Sequence, residues 1–289
     1  ITCGSVDDGK STLIGRLLHD TGNVADDVVA AARADSARWG TTGDDLDYAL
    51  LVDGLQSERE QGITIDVAHR YFETPRRKFI LADTPGHEQY TRNMATGASG
   101  ADLAILLLDA TRGLLPQSRR HAYIVRLLGI AHVIVAVNKM DRVGWDEPTY
   151  RRLAAETRTA LAPLGFTTVE AVPVSARHGD HVARRSERMP WHDGPTLVEL
   201  LERAPPGRAS APELRLPVQY VSRPNADFRG YAGTLAAGRL AVGDEVVALP
   251  SGARSTVRAI HAPDGERRSA VTGDAVVVTL ADAIDLARG

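Results

Sequence analysis

Gly4-Ser5-Val6-Asp7-Asp8-Gly9-Lys10-Ser11-Thr12 stands at the head of the chain with the spacing G-x-x-x-x-G-K-[ST]. Its two glycines let the backbone curl so that several N–H groups converge on an anion. Lys10 supplies a point charge for the outer phosphates of a triphosphate, and Ser11 a hydroxyl for Mg²⁺. The apolar spacing of Thr12-Leu13-Ile14-Gly15-Arg16-Leu17-Leu18 predicts a helix directly after the loop, with its positive dipole end under the phosphates. Phosphate loops of this kind follow a strand. A chain that opens with Ile1 therefore reads as a fragment lacking part of that strand.

Working outward, apolar runs and amphipathic runs alternate. Helical character covers 26–38 and the apolar patch Leu46-Asp47-Tyr48-Ala49-Leu50-Leu51-Val52, and Ile63-Thr64-Ile65-Asp66-Val67 reads as a strand entry. Strands are expected at 78–82, 103–109, 132–137 and 168–174, and helices at 89–99, 117–128, 147–164 and 195–201. Leu103-Ala104-Ile105-Leu106-Leu107-Leu108-Asp109 is almost wholly apolar, as a strand buried on both faces of a parallel sheet must be. The alternation predicts a P-loop, doubly wound, mostly parallel α/β domain over 1–204. Around Pro205-Pro206-Gly207 and Ala209-Ser210-Ala211-Pro212 the texture becomes that of a linker. Short β-rich runs at 216–221, 245–249 and 275–280 then predict a small antiparallel β-barrel domain over 212–289.

Composition narrows the class. With 289 residues, 25% charged and 43% hydrophobic, the chain is long enough for about two globular domains. A net charge of −3 gives no reason to expect a nucleic-acid or membrane partner. The single cysteine, Cys3, cannot form an internal disulfide, which favours a reducing, cytoplasmic setting, and it is expected to be a small buried residue.

Five separated pieces fall in the order that a guanine-nucleotide hydrolase needs. The phosphate loop, 4–12, comes first. Thr64 is placed to reach Mg²⁺ and the γ-phosphate when the triphosphate is bound. Asp83-Thr84-Pro85-Gly86 offers a carboxylate to hold Mg²⁺ through water and a glycine N–H for the γ-phosphate. In Asn138-Lys139-Met140-Asp141 the Asp141 carboxylate can accept from N1–H and the 2-amino group of guanine, donors that adenine lacks. Lys139 would lie along the ring, and a backbone N–H of Ser175-Ala176 would meet guanine O6. Each piece alone is an ordinary turn; their order, each at a strand end, carries the assignment.

His87, next to Gly86, is assigned to orienting the attacking water. With Lys10 and Gly86 it makes up the expected catalytic group. The expected metal ligands are Ser11, Thr64 and Asp83. Arg59 and Arg92 are both open as an arginine finger, and Asp7 either binds a monovalent cation or shapes the loop. His19, His69, His121, Trp39, Trp145 and Trp191 show no ligand spacing and are read as packing or surface residues, and 184–188 as a solvated loop.

These boxes resemble those of translational GTPases of the elongation-factor type: Val6-Asp7-x-Gly9-Lys10-Ser11-Thr12, Glu58-Arg59-x-x-Gly62-Ile63-Thr64-Ile65, Asp83-Thr84-Pro85-Gly86-His87 and Asn138-Lys139-Met140-Asp141. Within that group the chain is similar to the GTPase (large) subunits of bacterial sulfate adenylyltransferases. That similarity is carried by Asp7-Asp8, by 46–55, by 61–68, by Gln117-Ser118-Arg119-Arg120-His121 and by 223–233, which includes Phe228-Arg229-Gly230-Tyr231-Ala232-Gly233. The resemblance implies GTP and Mg²⁺, a further C-terminal barrel beyond this stretch, and a heteromer with a small subunit. That subunit would bind ATP and sulfate and form adenylylsulfate, driven by GTP hydrolysis here. An elongation-factor-like GTPase delivering aminoacyl-tRNA is the alternative.

Overall fold

The computed structural model describes residues 1–39, 46–52, 64, 66–205, 213–225 and 228–288, the side chains of 37–39 excepted. They divide into two compact units, Ile1–Arg208 and Ala209–Gly289. The first contains β1 (Thr2–Cys3), β2 (Ala68–Glu73), β3 (Lys78–Asp83), β4 (Leu103–Asp109), β5 (His132–Asn138) and β6 (Thr168–Pro173). Its helices are α1 (Lys10–Asp20), α2 (Asp26–Trp39), α3 (Thr91–Ser99), α4 (Pro116–Leu127), α5 (Glu147–Leu161) and α6 (Leu197–Arg203).

Strands β1-β4-β5-β6 form a parallel sheet in that order, while β2 and β3 pair antiparallel from Ala68↔Asp83 to Glu73↔Lys78. The Thr84 hydroxyl donates to the Thr2 carbonyl at 2.6 Å, which lays the end of β3 beside β1. The chain therefore leaves β1 towards one neighbour and later returns on its other side. The phosphate loop emerges at this reversal point, where α/β sheets open a crevice.

The β4 run is apolar because it is covered twice. Leu106 and Leu108 pack with Met94, Val125 and Leu153 under α3, α4 and α5. Ile105 and Leu107 turn to Leu13, Ile14, Leu17 and Leu197 under α1 and α6. Helix ends are closed locally: the Asp146 side chain accepts from Thr149 N before α5, and Thr196 and Glu199 form a capping box at α6.

Three expectations change. Leu46–Val52 contains one 3₁₀ turn, Tyr48–Leu51, rather than a longer helix. The Asp47 side chain satisfies Ala49 N, and Val52 N closes back on the Ala49 carbonyl, the tighter i→i+3 pattern. In the expected strand entry 63–67, Ile63 and Ile65 lie outside the described residues, and Thr64, Asp66 and Val67 are not in a strand. The Asp66 side chain takes Val67 N–H at 2.7 Å, a local bond that replaces a ladder bond. The strand begins instead at Ala68, so Thr64 precedes a strand rather than following one.

The second unit holds β7 (Tyr220–Ser222), β8 (Gly230–Thr234), β9 (Arg239–Ala241), β10 (Glu245–Val247), β11 (Arg254–Ala262), β12 (Gly265–Arg267), β13 (Ser269–Val271) and β14 (Ala275–Leu280). All pair antiparallel, along β10-β11-β14-β8-β7 with β12 on β11, plus a β9–β13 ribbon. Their inward residues, including Leu235, Val257, Ile260, Val276 and Val278, make a separate core. The strand expected from Leu216 begins only at Tyr220; Pro217 has no N–H to give a ladder.

Candidate functional site

The phosphate loop is held in its curl by positive φ at Gly4 (146°), Asp7 (65°) and Gly9 (90°). Gly4 has no room for a side chain: a Cβ there would stand 2.7 Å from the Leu107 carbonyl oxygen of β4. Its N–H donates to His121 Nδ1 at 3.2 Å, and the other ring nitrogen of His121 meets Gln117 at 2.8 Å. Burial pushes the His121 pKa down to about 4, with the Lys10 and Arg120 charges acting the same way. His121, read from sequence as packing or surface, is thus a neutral prop for the loop.

Lys10 folds over this loop, its ammonium donating to the Ser5 carbonyl at 2.7 Å and to the Gly4 carbonyl at 3.4 Å. Burial lowers its pKa, against the pull of the Asp8 and Asp83 carboxylates. Asp8 accepts Ser5 N–H at 2.6 Å, and its own burial raises its pKa. Gly86 lies directly on the Lys10 ammonium and the Ser5 carbonyl, and a methyl group at that position would overlap both. Gly86, whose N–H is expected to meet a γ-phosphate, is thus packed against the lysine expected to do the same.

The structure brings Ser11, Thr64 and Asp83 together. Ser11 Oγ is 3.4 Å from Thr64 Oγ1 and 3.5 Å from Asp83 Oδ2, while Thr2 Oγ1 donates to Asp83 Oδ1 at 3.4 Å. Two hydroxyls and one carboxylate are hard oxygen donors, a set that fits Mg²⁺ sharing its shell with phosphate and water. Among the described residues no group of three His, Cys, Asp or Glu side chains is placed to hold a metal.

At the other end of the crevice Asn138 acts as a brace. Its Nδ2 donates to the Asp8 carbonyl at 2.8 Å and its Oδ1 accepts Ala176 N–H at 3.0 Å, tying the phosphate loop to the 175–176 loop. The N–H groups of Ser175-Ala176, expected to meet guanine O6, are bonded within the protein in this structure. Ala176 N–H is taken by Asn138, and Ser175 N–H by the Asp180 carbonyl at 3.2 Å. The Ser175 hydroxyl instead donates to Asp141 Oδ1 at 2.6 Å, which fixes the carboxylate that would read the base. Lys139, at φ 62°, pairs with Asp109 at 2.8 Å and also donates to the Asp7 carbonyl. Burial alone would raise Asp109, but bonds from Lys139 and Thr111 outweigh it and hold its carboxyl below the usual range.

Several predicted site residues serve as structure. The Met140 side chain is fully buried in the core. Thr84 is buried with its hydroxyl on β1, and Pro85 is buried beside it. Val6 offers its carbonyl to Arg112 at 3.1 Å, and Thr12 lies half-buried in the first turn of α1. His87 caps the short turn Glu88–Tyr90, where Nδ1 accepts Gln89 N–H at 3.3 Å. With Nδ1 accepting, Nε2 is the ring nitrogen left to donate. Burial pushes the Cys3 thiol up to about 12, as befits an inert core residue. Arg59 lies outside the described residues.

Residues 1–222 match the family model of the elongation factor Tu GTP binding domain. The chain belongs to that family. Among solved structures it is similar to a bacterial selenocysteine-specific elongation factor, EF-Sec, at 27% identity and TM-score 0.52, over 98% of this chain and 42% of that one. It is similar to Sup35 complexed with GMPPNP at 27% identity and TM-score 0.53, over 98% of this chain and 63% of the other. Against Sup35 complexed with GDP the figures are 27% and 0.52, over 97% and 62%. The chain thus spans under two thirds of the length of each. As in an elongation factor Tu-type protein, a GTP-binding α/β domain precedes antiparallel β-sheets. No described helix is long and apolar enough to cross a membrane.

Proposed function

We propose that the chain hydrolyses GTP and that the change around Thr64 and Gly86 drives the work of a partner. The observation that carries this is the joint placement of Ser11, Thr64 and Asp83 at one end of the loop and Asn138 and Asp141 at the other. Lys10, now bonded to backbone carbonyls, would exchange them for phosphate oxygens. Gly86 N–H would follow the γ-phosphate, and Asp141, steadied by Ser175, would select guanine. Mg²⁺ held at Ser11, Thr64 and Asp83 would neutralise phosphate charge. His87 would turn from its capping bond to orient the attacking water.

For the partner, we favour the small, ATP- and sulfate-binding subunit of a sulfate adenylyltransferase. Support comes from the subfamily stretches at 46–55, 117–121 and 223–233. The similarity to EF-Sec and Sup35 fits a second reading, a factor working in translation, at least as well. Hydrolysis rates of the full-length protein decide between them. Acceleration by the small subunit with ATP and sulfate, and none by ribosomes, is expected. Acceleration by ribosomes alone supports the second reading, and adenylylation of sulfate indifferent to GTP overturns the first.

A further inference from the structure

Arg16 lies in the second turn of α1, on the helix that begins under the phosphate loop, yet its side chain reaches across to the base end of the crevice. Its Nη1 and Nη2 donate to the carbonyls of Arg177 and His178, each at 3.2 Å. Its Nε donates to Asp20 at 2.8 Å, and its guanidinium carbon sits 4.6 Å from the centre of the Tyr48 ring. The opposing loop is shaped to admit it: Gly179, at φ +82°, lies against the guanidinium, and a side chain there would meet it at 2.6 Å from Cζ. A planar fork suits this arrangement, because three separate nitrogens reach two carbonyls and a carboxylate spread around one plane, whereas an ammonium offers its three donors from a single point.

The two carbonyls belong to the residues that follow Ser175 and Ala176. Ser175 Oγ holds Asp141, and Ala176 N–H holds Asn138. A shift of the 175–179 loop would therefore be felt at both residues of the guanine box. We infer that Arg16 is a positioning residue for guanine recognition, clamping the 175–179 loop to α1 so that Asp141 faces the base. The inference rests on the GTP reading above.

The test uses the full-length protein and fluorescent GDP and GTP, with Arg16→Ala and Arg16→Lys beside the parent. Because the Arg16 side chain is mostly buried, with 17% of it exposed, both variants are checked for folding by thermal melting. The expected result is a loss of about tenfold in affinity for both nucleotides in Arg16→Ala, with single-turnover hydrolysis of saturating GTP within about twofold of the parent. Preference for GTP over inosine triphosphate, which lacks the 2-amino group read by Asp141, should shrink in the same variant. Arg16→Lys should recover little of either. A purely structural role would change melting and leave the guanine-over-inosine ratio where it was, and that result overturns the inference. Unchanged affinities in both variants overturn it too. If the parent itself binds no guanine nucleotide, the failure lies with the GTP reading.

Discussion

His121 shows how much a single buried side chain can contribute to this site. Its folded pKa of about 4 lies below the ordinary 6.5, so folding favours the neutral ring. The associated stability is complete above pH 6.5 and is lost as pH falls from 6.5 towards 4, by on the order of 3 kcal/mol if no other group compensates. His181, held near 4 by its own burial, acts in the same direction. In His121→Asn the Gly4 N–H keeps an acceptor that does not titrate. Melting temperature between pH 7 and pH 5 should then fall less than in the parent; an equal fall would remove the role assigned to this ring. Legibility divides along the same line. Lys10, Ser11, Asp83, Asn138 and Asp141 could be read from sequence because each sits in a fixed motif spacing. His121 could not, although Gln117 one helical turn earlier was a usable sign of a paired ring. Arg16 left no sign at all, since its partners are backbone carbonyls far along the chain. Nor could sequence tell that the Ala176 N–H was already committed to Asn138.

At the scale of elements, α1 and the Tyr48–Leu51 turn are fitted through Gly15. A methyl group at Gly15 would run into the Tyr48 carbonyl, a backbone atom that cannot rotate away. Gly15→Ala gains up to about 1 kcal/mol of helix propensity. Overpacking of this kind costs about 1–3 kcal/mol, so the variant should unfold at lower denaturant concentration despite being the better helix former. A higher midpoint would show that the turn yields freely. The sheet strands β4 and β5 were legible because burial on both faces leaves an unbroken apolar run. The hairpin strand β2 was not. Of its six residues, Phe72 alone is buried, and His69, Tyr71 and Glu73 face outward, so its alternation carries little apolar signal. The 46–52 patch misled for the opposite reason. A continuous apolar run fits a helix, a strand or a short turn, and Asp47 decided it by capping Ala49 locally.

For the whole molecule, two compact units follow from a change in patterning around residue 205, where long amphipathic segments give way to short alternating ones. The parallel unit carries all the expected nucleotide groups, gathered at the reversal point beside β1. Its phosphate end and its base end are joined by Asn138, by the bond from Lys139 to the Asp7 carbonyl and by Arg16. That joining is why nucleotide identity, rather than phosphate alone, should govern occupancy of the site. Competition binding against a fluorescent guanine nucleotide measures this most directly, in the parent and in Asp141→Asn. The parent should be displaced by GTP and GDP and hardly by ATP or xanthosine triphosphate. The variant should shift its preference towards the xanthine nucleotide, whose 2-oxo group accepts where guanine donates. A parent displaced equally by ATP, or a variant that keeps the guanine preference, would contradict the account.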